Sequence, residues 1–188
     1  MQIVKIVVTG PFSSGKTQFI QTVSEIDVVE TETKITRQEE RIKAKTTVAM
    51  DFGRITVDEE LVLYLFGTPG QRRFSFMWDV LSEGMLGFIV LLDSVRPETF
   101  REARSILDTF RSYAPVPYIV AANKQDLEDA WTPEDLRIAL RIPQSVKMVP
   151  CVATDRGSVK RALLKLLCSI DEVMLGESVR PEDVAASS

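Results

Sequence analysis

Residues 10–17 read Gly-Pro-Phe-Ser-Ser-Gly-Lys-Thr, the spacing G-x-x-x-x-G-K-[ST]. A loop of this kind can curl around phosphates with its N–H groups inward, since glycines at its ends permit the necessary backbone. Gly10, Ser13, Ser14 and Gly15 would form the cradle. Lys16 would reach the β- and γ-phosphates, and the Thr17 hydroxyl would ligate Mg²⁺. A second constellation, Asn123-Lys124-Gln125-Asp126, follows an apolar run. The Asp126 carboxylate can accept two hydrogen bonds side by side. Guanine presents N1–H and the N2 amine in that arrangement, and adenine does not. Lys124 can lie over the purine face.

The elements that must position these groups follow from patterning. Ile3 to Val8 is a β-branched run that predicts a buried strand, and the apolar residues Phe19, Ile20 and Val23 predict a helix from Lys16. Val48 to Val57, with Gly53 as a candidate bulge, and Leu61 to Phe66 read as a hairpin. Further strands are expected at Met85–Leu92, Pro117–Ala122 and Val146–Val152. Helices are expected at Pro97–Ser112, from the Thr132 N-cap onward, and over 156–174, ending at Gly176. Strands alternating with helices define an α/β domain with a mainly parallel sheet. Ligands in such sheets bind beyond the carboxyl ends of the strands, where both constellations fall. Residues 24–45 are polar with no strong period and are expected to form a long mobile segment. The tail 177–188 is polar and expected to be disordered.

Composition narrows the function classes. The 188 residues carry 23 basic and 27 acidic side chains, a net charge of -4. No basic block points to nucleic acid or a membrane surface. The absence of histidine excludes His-based acid–base chemistry, Ser-His-Asp and Cys-His nucleophiles, and nearly all zinc-enzyme sites. The cysteines, Cys151 and Cys168, form no disulfide framework and suit a reducing cytosol. No apolar run approaches the roughly 20 residues needed to cross a bilayer. With no signal peptide or lipidation box, a cytoplasmic location is expected.

The chain resembles the Ras-like small GTPases over residues 2–174. GPFSSGKT, TVAMDF, GTPGQRRF, NKQD and VATDRGSV follow that family's motif order. The wording is most similar to prokaryotic members of the MglA-like group, which also carry Pro in "PGQ". The resemblance implies a P-loop NTPase fold: a six-stranded, mostly parallel sheet with one antiparallel edge strand, flanked by helices. It implies a GTPase domain over 1–176, a GTP/GDP cycle, Mg²⁺ as cofactor and two switch regions. By resemblance, Thr47 touches Mg²⁺ and the γ-phosphate, with Thr46 the alternative one residue away. Gly70 senses the γ-phosphate through its N–H, and Gln71 positions the attacking water. The loop of Val152, Ala153 and Thr154 reads guanine, the Ala153 N–H meeting O6. The group resemblance implies protein regulators or effectors, among them roadblock-fold partners, acting on a monomer or a nucleotide-dependent dimer.

Three departures from the family pattern stand out. Gly67 occupies the position of the family's Asp, which holds Mg²⁺ through water. Either Asp51 compensates from the adjoining strand, or it is an exposed strand residue and Thr17, phosphate oxygens and water hold the ion. Phe12 stands where Gly is usual; its ring either crowds an incoming arginine finger or turns to solvent. The segment between Thr17 and Thr47 is about a dozen residues longer than in typical Ras-like chains. Its Arg37, Arg41, Lys43 and Lys45, beside Glu39 and Glu40, supply a built-in finger or a solvated loop. Phe74, Met77, Trp78 and Leu81 recur at helical spacing, as a core stripe or a surface for a partner.

Three activities fit these residues: a slow GTPase switch, a guanine-nucleotide-binding module with little or no hydrolysis, and a metabolic P-loop kinase or ATPase. The NKQD segment disfavours the third.

Overall fold

The computed structural model describes residues 2–27, 29–30, 33–34, 47–48, 50–70 and 74–178, with 29–30, 33–34, 47–48 and 176–178 described by backbone alone. Its strands are β1 (Gln2–Thr9), β2 (Val29–Glu30), β3 (Thr33–Lys34), β4 (Thr47–Val48), β5 (Asp51–Thr56), β6 (Leu61–Gly67), β7 (Gly87–Asp93), β8 (Tyr118–Asn123) and β9 (Lys147–Pro150). The helices are α1 (Lys16–Val23), α2 (Phe76–Ser82), α3 (Phe100–Tyr113), α4 (Pro133–Ala139) and α5 (Arg156–Ser178).

Six strands build the sheet in the order β5-β6-β1-β7-β8-β9, and the two-residue β2 adds to the β5 edge. β1 pairs in parallel with β6 and β7, β7 with β8, and β8 with β9. β5 runs antiparallel to β6. The strand carboxyl ends therefore share one edge, and the start of the reversed β5 joins them there.

Alternation along the central strands sends apolar side chains to both faces, as a doubly covered sheet requires. Ile6, Val8, Ile89 and Leu91 pack with Phe19 and Ile20 of α1 and Leu163 and Leu166 of α5. Val7, Phe88, Val90 and Leu92 pack with Trp78 of α2, Phe110 of α3 and Leu136 of α4. The Trp78 and Phe110 rings lie 5.6 Å apart. Phe74, Trp78 and Leu81 are buried and Met77 is half-buried, so the stripe after Gly70 is mainly core.

Several boundaries differ from the sequence reading. The expected strand Val48–Val57 is divided: Thr47–Val48 pairs with Thr33–Lys34, while Asp51–Thr56 pairs with β6. Gly53 is not a bulge, since the register runs unbroken from Asp51 opposite Gly67 to Thr56 opposite Val62. A Cβ at Gly53 would come within 2.5 Å of Ile20 Cγ2, so the glycine serves the close approach of α1. Pro97–Thr99 forms a 3₁₀ turn that leads into α3. α5 continues through Gly176 to Ser178; a single glycine near a helix end costs only about 1 kcal/mol. The Thr132 cap is present, its hydroxyl accepting from Asp135 N–H.

Candidate functional site

The site forms where β1, β6, β7, β8 and β9 end. β1 stops at Thr9 and α1 starts at Lys16, so residues 10–15 must reverse direction within a few residues. Gly10, Ser13 and Gly15 adopt φ of 148°, 63° and 101°. A Cβ on Gly10 would strike the Leu91 carbonyl, and one on Gly15 would come within 2.5 Å of Asn123 Nδ2. Ser13 holds a left-handed conformation without glycine's freedom, local strain of a kind that gathers at functional sites. Phe12 at the loop tip is 60% exposed, so its ring turns to solvent.

Lys16 is only 7% exposed. Its Nζ donates to the Gly10 carbonyl at 2.9 Å and the Pro11 carbonyl at 2.7 Å. The ammonium is thus held by the loop's own oxygens. Burial pushes its pKa down to about 8, partly opposed by the carboxylates of Asp51 and then Glu102. Ser14 Oγ is buried and has no partner among the described residues. The Thr17 hydroxyl donates to Asp51 Oδ2 at 2.6 Å.

Gly70 lies against this loop. A Cβ on it would come within 2.7 Å of Phe12 Cα and 2.9 Å of Lys16 Nζ. The approach is set by Thr68, whose N–H donates to Val8 O and whose hydroxyl donates to Thr9 Oγ1 at 2.9 Å. Trp78 Nε1 donates to Pro69 O, anchoring the same turn from α2.

β8 delivers the second constellation. Asn123 is buried, and its Nδ2 donates to Ser14 O at 2.9 Å while its Oδ1 accepts from Ala153 N at 2.8 Å. One side chain therefore joins the 10–17 loop, the 123–126 loop and the 151–154 loop. Lys124, at φ 66°, donates to Asp93 Oδ2 at 2.5 Å. Asp93 is 1% exposed, and a buried carboxylate requires such a partner. Asp126 is exposed and forms no hydrogen bond or ion pair among the described residues. The 151–154 loop is braced by Ser158: its hydroxyl accepts from Val152 N, and its own N–H donates to Asp155 Oδ1.

The structure thus gathers Gly10, Ser13, Ser14, Gly15, Lys16, Thr17, Gly70, Asn123, Lys124, Asp126, Ala153 and Thr154 at one edge of the sheet. The Ala153 N–H expected to meet guanine is donated to Asn123 Oδ1. The adjacent Thr154 N–H makes no hydrogen bond among the described residues. Thr47 is described by backbone alone; Thr46, Gln71 and the charged residues Arg37, Glu39, Glu40, Arg41, Lys43 and Lys45 lie outside the described residues. Sequence reasoning missed Asp93, although an acid closing the apolar run Gly87–Leu92 was a visible signal.

The fold and this loop arrangement define a P-loop NTPase of Ras-like architecture. The family model described as "Conserved hypothetical ATP binding protein" matches residues 26–173, and the chain belongs to that family. An uncharacterized protein of Methanocaldococcus jannaschii is 34% identical over 70% of this chain and 76% of its own length. The Ras-related protein RABA6b of Arabidopsis thaliana is 25% identical, covering 75% of this chain and 64% of the relative. The ADP-ribosylation factor-related protein 1 of Homo sapiens is also 25% identical, covering 71% and 65%. The chain therefore spans just under two thirds of these last two relatives and is distantly homologous to the Ras, Rab and Arf small GTPases. Among the described residues no helix is long and apolar enough to cross a membrane.

Proposed function

We propose that this chain is a guanine-nucleotide switch. It binds GTP and GDP with Mg²⁺, hydrolyses GTP slowly and passes the difference between the two states to protein partners. The observation that carries this reading is the Asn123 amide, which holds the phosphate loop and the base-reading loops in one frame. The buried Ser14 hydroxyl, without a partner among the described residues, and the Lys16 ammonium at the loop's own carbonyls are polar groups that fit phosphate oxygens. Thr17 and Asp51 offer the hard oxygen donors that suit Mg²⁺, which would offset phosphate charge when bound.

The family description names ATP, but Asp126 favours guanine. Its exposed carboxylate matches the paired donors of guanine, whereas adenine offers no such pair. The Thr154 N–H is the donor available to O6. On GTP, the Gly70 N–H, Thr47 and Gln71 would close on the γ-phosphate, making the two states different in shape. The domain runs to the end of α5 at Ser178, two residues beyond the expected boundary at 176, and the remaining sequence is polar. The Pro in Thr68-Pro69-Gly70-Gln71 supports placement in the MglA-like group, and with it cytoplasmic action on roadblock-fold partners.

The test is competition against a fluorescent GDP analogue, followed by phosphate release under single turnover. GTP is expected to compete at least about 100-fold better than ATP, a gap of nearly 3 kcal/mol. Hydrolysis is expected on the order of 10⁻³ s⁻¹ or slower, the scale of unassisted Ras-type proteins. Equal competition by ATP would overturn the guanine assignment. No phosphate released within a day would reduce the protein to a binding module.

A further inference from the structure

The family's usual metal-holding carboxylate is missing at position 67, where the chain has glycine. In the antiparallel pairing of β5 and β6, Asp51 is the residue directly opposite Gly67. A Cβ built on Gly67 would come within 2.9 Å of Asp51 Cβ and 3.0 Å of Asp51 Oδ2. The space a side chain at 67 would enter is therefore filled by the carboxylate of its cross-strand neighbour. That carboxylate already accepts a hydrogen bond from Thr17, the residue expected to ligate the cation. It also acts on the buried Lys16 ammonium as a favourable charge.

We propose that Asp51 supplies the carboxylate that holds the nucleotide's divalent cation, delivered from the start of β5 instead of the end of β6. This rests on the reading of the site as a Mg²⁺-nucleotide site. The substitution works because β5 is reversed: its first residue lies at the same sheet edge as the last residue of β6. Glycine at 67 is the complementary half of the exchange, since a second side chain would collide with Asp51 and with Ile20 Cδ1 at 3.0 Å. Among the described residues no three acids or thiols gather into a self-sufficient metal cage. With GDP bound, when no γ-phosphate holds Thr47 in place, Asp51 and Thr17 are the described side chains that supply oxygen to the cation. By accepting the Thr17 proton, Asp51 also leaves that hydroxyl's lone pairs free for the cation.

The experiment follows release of a fluorescent GDP analogue while free Mg²⁺ is varied, each variant being referred to its own rate in chelator. In the parent, release slows as Mg²⁺ rises. In Asp51→Asn, which keeps an acceptor for Thr17 and loses the charge, the Mg²⁺ midpoint should rise at least about tenfold, the usual loss on removing a group that supports a metal. Gly67→Asp alone should destabilise the fold. The exchange Asp51→Gly with Gly67→Asp should bring the midpoint back toward the parent's. An unchanged midpoint in Asp51→Asn, with the parent Mg²⁺-sensitive, would overturn the role of Asp51 alone. Failure of the parent to bind the analogue would overturn the reading of the site.

Discussion

The side-chain amide of Asn123 donates to the backbone carbonyl of Ser14 across 2.9 Å, joining residues 109 apart in sequence. The same amide accepts from Ala153 N–H. Asn123→Ala would leave a buried carbonyl and a buried N–H unpaired, at about 1–3 kcal/mol each. Thermal unfolding should fall by roughly 5–15 °C for a chain of this size. Affinity for GTP and GDP should fall together, because the loops proposed to hold phosphate and base lose their common frame. A melting point within a degree of the parent's would show that the amide is not a structural tie.

Asp126→Asn tests the base. The side chain is exposed, so the fold should be unaffected. An amide offers one donor and one acceptor, so guanine loses a bond and meets a like donor. Xanthine, with oxygen in place of the amine, becomes the better fit. GTP affinity should drop by two to three decades, on the order of the loss of a charge-assisted pair, and xanthosine triphosphate should gain. Unchanged GTP binding would remove Asp126 from base recognition.

The mainly parallel sheet and the placing of the two loops at its carboxyl edge were legible because the motifs carry their own geometry. G-x-x-x-x-G-K-[ST] works only between a strand and a helix, and residues 10–17 lie between β1 and α1. The relation of Asp51 to Gly67 was open in sequence because it depends on register. A slip of one residue in β5 would send Asp51 to the opposite face of the sheet. The strand was expected from Val48, whereas the ladder begins at Asp51. Ala153 shows a different limit: the family resemblance pointed to the loop, but that its N–H donates to Asn123 is a matter of tertiary contact. Asp93 likewise gains its meaning only when β7 and β8 lie side by side and Lys124 reaches it.

The two thiols should separate cleanly. Cys168 is exposed and Cys151 is buried. Burial pushes the Cys151 thiol up to about 11, against a partial opposing pull from its hydrogen bond with Ser158. At pH 8 only about one part in a thousand of it would be thiolate. An aromatic disulfide reagent should therefore titrate one thiol quickly and the second slowly, through transient opening, and Cys168→Ser should abolish the fast phase. The Cys151 carbonyl accepts from Gln125 N, and its N–H donates to Ala122 O. Exposing the thiol must then open the 123–126 and 151–154 loops, so if these read the base as proposed, GDP at a hundredfold excess over its Kd should slow the second reaction by about 100-fold. A Cys151 rate indifferent to GDP would mean that the thiol is reached by another route.

Lys16 should make nucleotide binding depend on pH. In the structure its pKa is lowered from 10.5 to about 8 because burial disfavours the ammonium more than Asp51 and Glu102 favour it. Bound phosphates add negative charge beside Nζ and raise the pKa again. Above pH 8 the free protein has lost a proton that the complex retains, so binding takes one up. Affinity for GDP should then fall by about tenfold per pH unit above 8 and be flat in this respect below 7. Calorimetry in buffers of different ionisation heat should register uptake approaching one proton at pH 9. The stability of the nucleotide-free protein moves the other way. Below pH 8 the folded state carries the cost of a buried ammonium in full. Between about 8 and 10.5 the unfolded chain binds more protons than the folded one, so stability rises with pH across that window. Lys16→Arg remains charged throughout and should lose both dependences. Uptake at pH 9 that persists in Lys16→Arg would assign the titration to another group.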